Sequence, residues 1–198
     1  RLRYRRTGGG GFQSIAFASE RLRDDRDLAL AAIRSHRYEV ANDHLHEGWE
    51  ELSPRLRADR SLFLEALAKS CEESSQDASF EPTSQYQYMR HFLRVAGVVE
   101  LLDAAGPALQ GDRDAVLACL AREPRALQCA SAALCADRDL VLRAVSLGET
   151  LHWASEELQA DREIVLAACA QSGWAIEHAS EDFRDDREVM LTAVSQNG

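Results

Sequence analysis

The chain has 198 residues, with 33 acidic against 23 Lys and Arg side chains and a formal charge of −10 at pH 7. That balance argues against a polyanion such as nucleic acid as the main partner, and no apolar run is long enough to span a bilayer. The 5 cysteines are odd in number and hold no C-x-x-C pair, which excludes a disulfide framework and a zinc signature and implies a reducing, intracellular setting.

The start, RLRYRRTGGGGFQS, carries Arg1, Arg3, Arg5 and Arg6 and no acidic residue before Glu20. Residues 1–11 read as a basic tail ending in the flexible linker Gly8–Gly11. An Arg-rich, acid-poor start also resembles the end of an organelle-targeting peptide, for a plastid or mitochondrion. A third reading is peripheral docking on an acidic surface or anionic lipid heads.

From residue 12 onward the pattern is a repeat. An Asp followed by Arg occurs at Asp25-Arg26, Asp59-Arg60, Asp112-Arg113, Asp137-Arg138, Asp161-Arg162 and Asp186-Arg187, the last four spaced by 25, 24 and 25. ASEELQADRE at Ala154–Glu163 returns as ASEDFRDDRE at Ala179–Glu188. A period in the twenties marks a stacked array.

Each place in the unit has a physical role. The anchor Asp suits an N-cap, and a further acid two places on (Asp27, Asp114, Asp139, Glu163, Glu188) suits the positive end of the helix dipole. Apolar residues follow at three, four, five, seven and eight places, as in Ile164, Val165, Leu166, Ala168 and Cys169, or Val189, Met190, Leu191, Ala193 and Val194. This stripe predicts a helix of about ten residues, covered on more than one side. Gly148, Gly173 and Gly198, or Pro124, mark its end, where Gly can close a helix in the left-handed region and Pro can open the next. A shorter second helix is expected to carry Ile15/Ala18, Trp49/Leu52, Leu102/Ala105, Leu127/Ala130, Leu151/Ala154 and Ile176/Ala179. Leu22, Leu56, Leu109, Leu134, Leu158 and Phe183 precede the anchors by three. Ser19, Ser53, Ser131, Ser155 and Ser180 suit turns, because a hydroxyl competes for local backbone groups.

Taken in order, the interval from Asp25 to Asp59 is 34, so one unit carries an insertion near Arg37–His44. A degenerate unit without Asp-Arg falls near Gln87. The chain ends at Gly198, where another helix is expected, so either the sequence is a fragment or a partner covers that face. The fold expected is all-α: a right-handed α-solenoid of about seven short helix pairs, forming a single domain over 12–198 whose last repeat is incomplete.

The pattern D-R-E-x-V-L-x-A, then G-x-A-I/L-x-x-A-S-E-x-L/F, resembles an uncharacterised repeat family known only as a domain of unknown function and common in eukaryotic microbes, algae among them. The resemblance is close over Ala130–Gly198, fair over Phe12–Ile33 and poor over Arg37–Leu102. It implies a paired-helix array and brings no catalytic or ligand residues.

The chemistry-bearing residues point the same way. No nucleophile elbow, phosphate loop or H-E-x-x-H occurs, so no enzyme, cofactor or metal is expected. The cluster Asp43-His44-Leu45-His46-Glu47 lacks the spacing of helix-borne metal pairs. Cys119 and Cys169 fall in the apolar stripe and read as small buried thiols. Arg26, Arg60, Arg113, Arg138, Arg162 and Arg187 recur at one place per unit, and a structural ladder to the adjacent copy's carboxylates is expected. Trp49, Trp153 and Trp174 default to packing, yet Trp153, Trp174, Tyr86 and Tyr88, with the basic tail, are the candidate partner contacts. The function expected is a non-catalytic protein-binding scaffold, a peripheral accessory subunit of a larger, organellar photosynthetic or respiratory assembly. The alternatives are an RNA-binding helical array and a non-catalytic piece of a larger enzyme.

Overall fold

The computed structural model describes residues 15–35, 45–72 and 97–197. Every regular element among the described residues is helical, with no strand. The chain groups into two compact units, Arg1–Gly106 and Pro107–Gly198.

The first unit contains α1 (Glu20–Arg23), α2 (Arg26–Ser35), α3 (Leu45–Glu50), α4 (Pro54–Arg57), α5 (Arg60–Glu72) and α6 (97–105). Helix α2 packs on α5. Trp49 and Phe63 meet edge to face, ring centroids 5.8 Å apart, among fully buried Ile33, Leu56 and Leu67. Trp49 is therefore core.

The second unit contains α7 (Pro107–Gln110), α8 (Arg113–Leu120), α9 (Ala132–Cys135), α10 (Arg138–Leu147), α11 (Glu156–Gln159), α12 (Arg162–Gln171) and α13 (Arg187–Asn197). Tight 3₁₀ helices fill the intervals at Pro124–Cys129, Leu151–Trp153, Gly173–His178 and Glu181–Arg184. Long helices pack in sequence order, α10 on α12 and α12 on α13.

The long helices start where the anchor predicts. Asp25, Asp59, Asp112, Asp161 and Asp186 each accept from the backbone N–H groups two and three places on, and Asp137 accepts from Leu140. These contacts satisfy donors that a helix start otherwise leaves open. Ile164, Val165, Ala168 and Cys169 are buried together on α12, as are Leu140, Val141, Ala144 and Val145 on α10.

The expected short second helix appears as α3, with Trp49, and as α6, with Leu102 and Ala105. In the three later copies the second half is instead a 3₁₀ helix, then two extended residues, then a single helical turn. Ala130 and Ser131 have ψ of 151° and 154°, and the break frees the serine N–H from local pairing. That N–H donates to the last carbonyl of the preceding repeat's short helix: Ser131 to Gln110 at 2.8 Å, Ser155 to Cys135 at 2.9 Å, Ser180 to Gln159 at 3.0 Å, and Ser53 to Arg23 at 3.1 Å. The hydroxyls of Ser19, Ser131, Ser155 and Ser180 make no capping bond; Ser53 alone accepts one, from Leu56. The role is carried by main chain rather than by the side chain.

The glycines also act otherwise than expected. Among the described residues only Gly106 has a positive φ, 81°. Gly148 is extended, with φ of 179°, and a Cβ there would come within 3.3 Å of Pro124. Close approach between repeats, not a left-handed cap, is what this position requires.

Candidate functional site

The recurrent arginines reach across to the next copy of the anchor. Arg113 Nε lies 3.0 Å from Asp137 Oδ2, Arg138 Nε 3.0 Å from Asp161 Oδ2, and Arg162 Nε 3.3 Å from Asp186 Oδ2. Arg138 and Arg162 also engage Glu163 and Glu188, the acids two places beyond those anchors. In the first unit Arg26 Nε lies 3.2 Å from Asp59 and its Nη2 donates to Ser61. For Arg60 the facing copy falls near Gln87, outside the described residues; for Arg187 it falls past Gly198.

Asp59, Asp137, Asp161 and Asp186 thus have two jobs: one oxygen caps its own helix while the other receives a guanidinium. These contacts hold the carboxyls below their ordinary range. For Asp161 the leading cause is the hydrogen bond from Arg138, and for Asp137 and Asp186 it is the backbone N–H of Leu140 and Val189, helped by Arg113 and Arg162. The pairs are largely exposed, so solvent screening leaves each a weak contributor to stability.

A different group of side chains forms a cleft in the second unit. Glu149, Leu151, His152, Trp174, Ala175 and His178 line a recess of about 70 Å³. The rings of His152 and His178 are 4.9 Å apart, and His152 also lies against Trp153 at 3.8 Å. Burial, then the neighbouring His178 and Arg125, lowers the pKa of His152, against an opposing pull from Glu149. Trp174 is 70 % exposed at this cleft, whereas Trp153 is half-buried. The two tryptophans of the sequence reading are therefore different in kind: one is packed, the other presents its ring to solvent.

Sequence reasoning singled out Trp174 but missed His152 and His178. They sit nine and eight places before their anchors, so no shared register pairs them, and only the turn of the 3₁₀ segments brings them together. Arg1, Arg3, Arg5, Arg6, Tyr86 and Tyr88 lie outside the described residues, as do Asp43 and His44 and the side chains of His46 and Glu47. Among the described residues no group of three or more His, Cys, Asp or Glu could hold a metal. No described helix is long and apolar enough to cross a membrane.

Cys119 and Cys169 are buried, and Cys129 and Cys135 half-buried; all four are free thiols. Burial pushes the Cys119 thiol up to about 12 and raises those of Cys135 and Cys169. The raised values of Cys119, Cys135 and Cys169 are opposite to the lowered pKa of a reactive thiolate.

The repeat has a counterpart among known families. A model described as Domain of unknown function (DUF4116) matches three times, over residues 112–159, 147–184 and 161–198. The segment 112–198 thus carries the repeats of an uncharacterised repeat family. No curated protein and no solved structure matches the chain significantly.

Proposed function

We propose that this chain is a non-catalytic helical-repeat scaffold, a short α-solenoid that binds a protein partner as an accessory subunit of a larger assembly. The observation that carries the reading is Trp174, whose ring is 70 % exposed beside the cleft of Glu149, Leu151, His152 and His178. Exposed tryptophan over a partly apolar recess is typical of a binding anchor, because it offers a large contact area at low entropic cost. Repeat arrays present such recesses on an extended surface. The successive packing of α10, α12 and α13 supports the array.

An RNA-binding array would need free basic groups along a groove. The guanidinium groups of Arg113, Arg138 and Arg162 are instead engaged by carboxylates. The chain's acidic balance favours a basic partner.

Gentle purification of the natural protein, with identification of what accompanies it, tests the reading. Recovery in a defined complex that Trp174→Ala disperses, with unchanged helical circular dichroism, is the expected result. Recovery of the natural protein as a lone monomer overturns it.

A further inference from the structure

The recess between Leu151–Trp153 and Gly173–His178 has a chemistry that selects its occupant. Both walls are segments of the second unit, and they pack on each other. At about 70 Å³ the recess is far smaller than the roughly 300–1,000 Å³ of a small-molecule pocket. It fits the end of one side chain. Buried Leu151 and Ala175 form its apolar part, while Glu149, His152, Trp174 and His178 are exposed along it.

The polar groups there are rich in acceptors. Glu149 offers a carboxylate, and a neutral imidazole offers one acceptor nitrogen. Partial burial, then His178 and Arg125, hold the pKa of His152 below its ordinary value against the pull of Glu149, so this imidazole is neutral at neutral pH. Neither Arg125 nor any other Arg or Lys lines the recess. Exposed Glu177 adjoins His178 in the same 3₁₀ segment and adds negative charge. An anionic occupant would meet Glu149 as a like charge, and an apolar one would cover it without a hydrogen bond. The side chain that answers all of these groups has a positive charge, donors only and a flat face. A guanidinium meets each condition: it lacks acceptors, stacks on tryptophan and forks onto a carboxylate. An ammonium brings the charge without the plane.

We propose that the recess binds an arginine side chain of the protein partner, an assignment that rests on the scaffold reading above. The guanidinium stacks on Trp174 and donates to Glu149 and to the imidazoles, with its methylene stem against Leu151 and Ala175. The rings of His152 and His178 are 4.9 Å apart, so protonating either places a like charge beside the guanidinium. Binding therefore weakens as pH falls, with Glu149, Glu177 and Arg125 as the other charges near the pair.

Nuclear magnetic resonance of the 198-residue chain, titrated with the blocked tripeptide acetyl-Gly-Arg-Gly-amide, tests this. A saturable shift of the Trp174 indole and of the His152 and His178 ring signals is expected. The lysine tripeptide is expected to bind more weakly, and the citrulline and glutamate tripeptides to leave these signals unmoved; citrulline keeps arginine's shape without its charge. Glu149→Gln and Trp174→Leu are each expected to weaken arginine binding by about two- to fivefold with unchanged helical circular dichroism. Acidification from neutrality to about pH 5.5 is expected to weaken it too. If Trp174→Leu misfolds, Glu149→Gln decides. The proposal is overturned by any of three results: citrulline or glutamate binding as tightly as arginine, binding that Glu149→Gln leaves unchanged, or no saturable shift up to tens of millimolar peptide. Lysine binding as tightly as arginine overturns the choice of arginine. In the natural complex, dispersal by Trp174→Ala but not by Glu149→Gln removes the arginine and keeps the scaffold. A natural protein recovered alone, whose recess still takes the arginine tripeptide, removes the scaffold and keeps the site.

Discussion

Asp161 is shared between two repeats: Oδ1 accepts from the backbone of Glu163 and Ile164, while Oδ2 lies 3.0 Å from Arg138 Nε. One carboxylate therefore starts its own helix and ties it to the helix before. The two roles separate by substitution. Asp161→Asn keeps a good capping side chain and loses the charge pair, so unfolding is expected to become easier by about 0.2–1 kcal/mol. Asp161→Ala removes the cap as well, for a total of about 1–2 kcal/mol. Urea denaturation of both variants and of Arg138→Ala checks this; equal costs for Asn and Ala would assign all of Asp161's contribution to the pair.

The same carboxyls make stability depend on pH in the acid range. Asp137, Asp161 and Asp186 titrate below the ordinary Asp value of 3.8 in the folded chain. A lowered folded pKa stabilises the protein wherever the group is ionised in both states, and that gain disappears as pH falls through the folded value. Stability is thus expected to be insensitive to these groups from neutrality to about pH 4 and to decline below it. A triple variant, Asp137→Asn with Asp161→Asn and Asp186→Asn, is expected to show a shallower decline. Urea midpoints measured from pH 7 downward decide.

Gly106 occupies the place that serine takes in other copies. Ser53, Ser131 and Ser155 there have φ of −58°, −62° and −61°, whereas Gly106 has φ of 81°. Restoring the repeat's own residue by Gly106→Ser is therefore expected to destabilise, by about 1–2 kcal/mol, because L residues resist the left-handed region. Nothing stands within 4 Å of where the new Cβ would lie, so the effect is one of backbone alone. Thermal melting of Gly106→Ser reads it directly; an unchanged or higher midpoint refutes the backbone account.

Thiol labelling under native conditions is expected to rank the cysteines by burial. Cys119, fully buried with its pKa near 12, and buried Cys169 react last, and half-buried Cys129 and Cys135 sooner. Time-resolved labelling with peptide mass analysis measures the order.

How much of this was legible from the residues differs by element. The caps and long helices were, because an Asp before an apolar stripe leaves few other solutions and the copies agree with one another. The distance from each Arg to the next Asp follows from the period itself. The second half of the unit was legible where α3 and α6 form, and was not in the three later copies. Its apolar pairs fit a short helix, and the change at Ala130–Ser131 into extended backbone depends on a main-chain bond to Gln110, which no side chain announces. Gly148 was misread for a related reason: its closest neighbour, Pro124, lies one repeat earlier, so the demand for a small residue is tertiary. Among candidate site residues, Trp174 stood out by type. His152 and His178 did not, since the proximity of their rings arises from turns out of register.

The serine joint made by main-chain atoms has a consequence for how such a chain can vary in length. Between Gln110 and Ser131 the donor follows its acceptor by 21 residues, and between Arg23 and Ser53 by 30, yet both bonds close, at 2.8 and 3.1 Å. Because the link asks only for a freed amide and an open carbonyl, additional amino acids can be spliced into a unit without unfastening it from its neighbour. An architecture fastened this way can acquire new loops, and with them new binding chemistry, at modest thermodynamic risk.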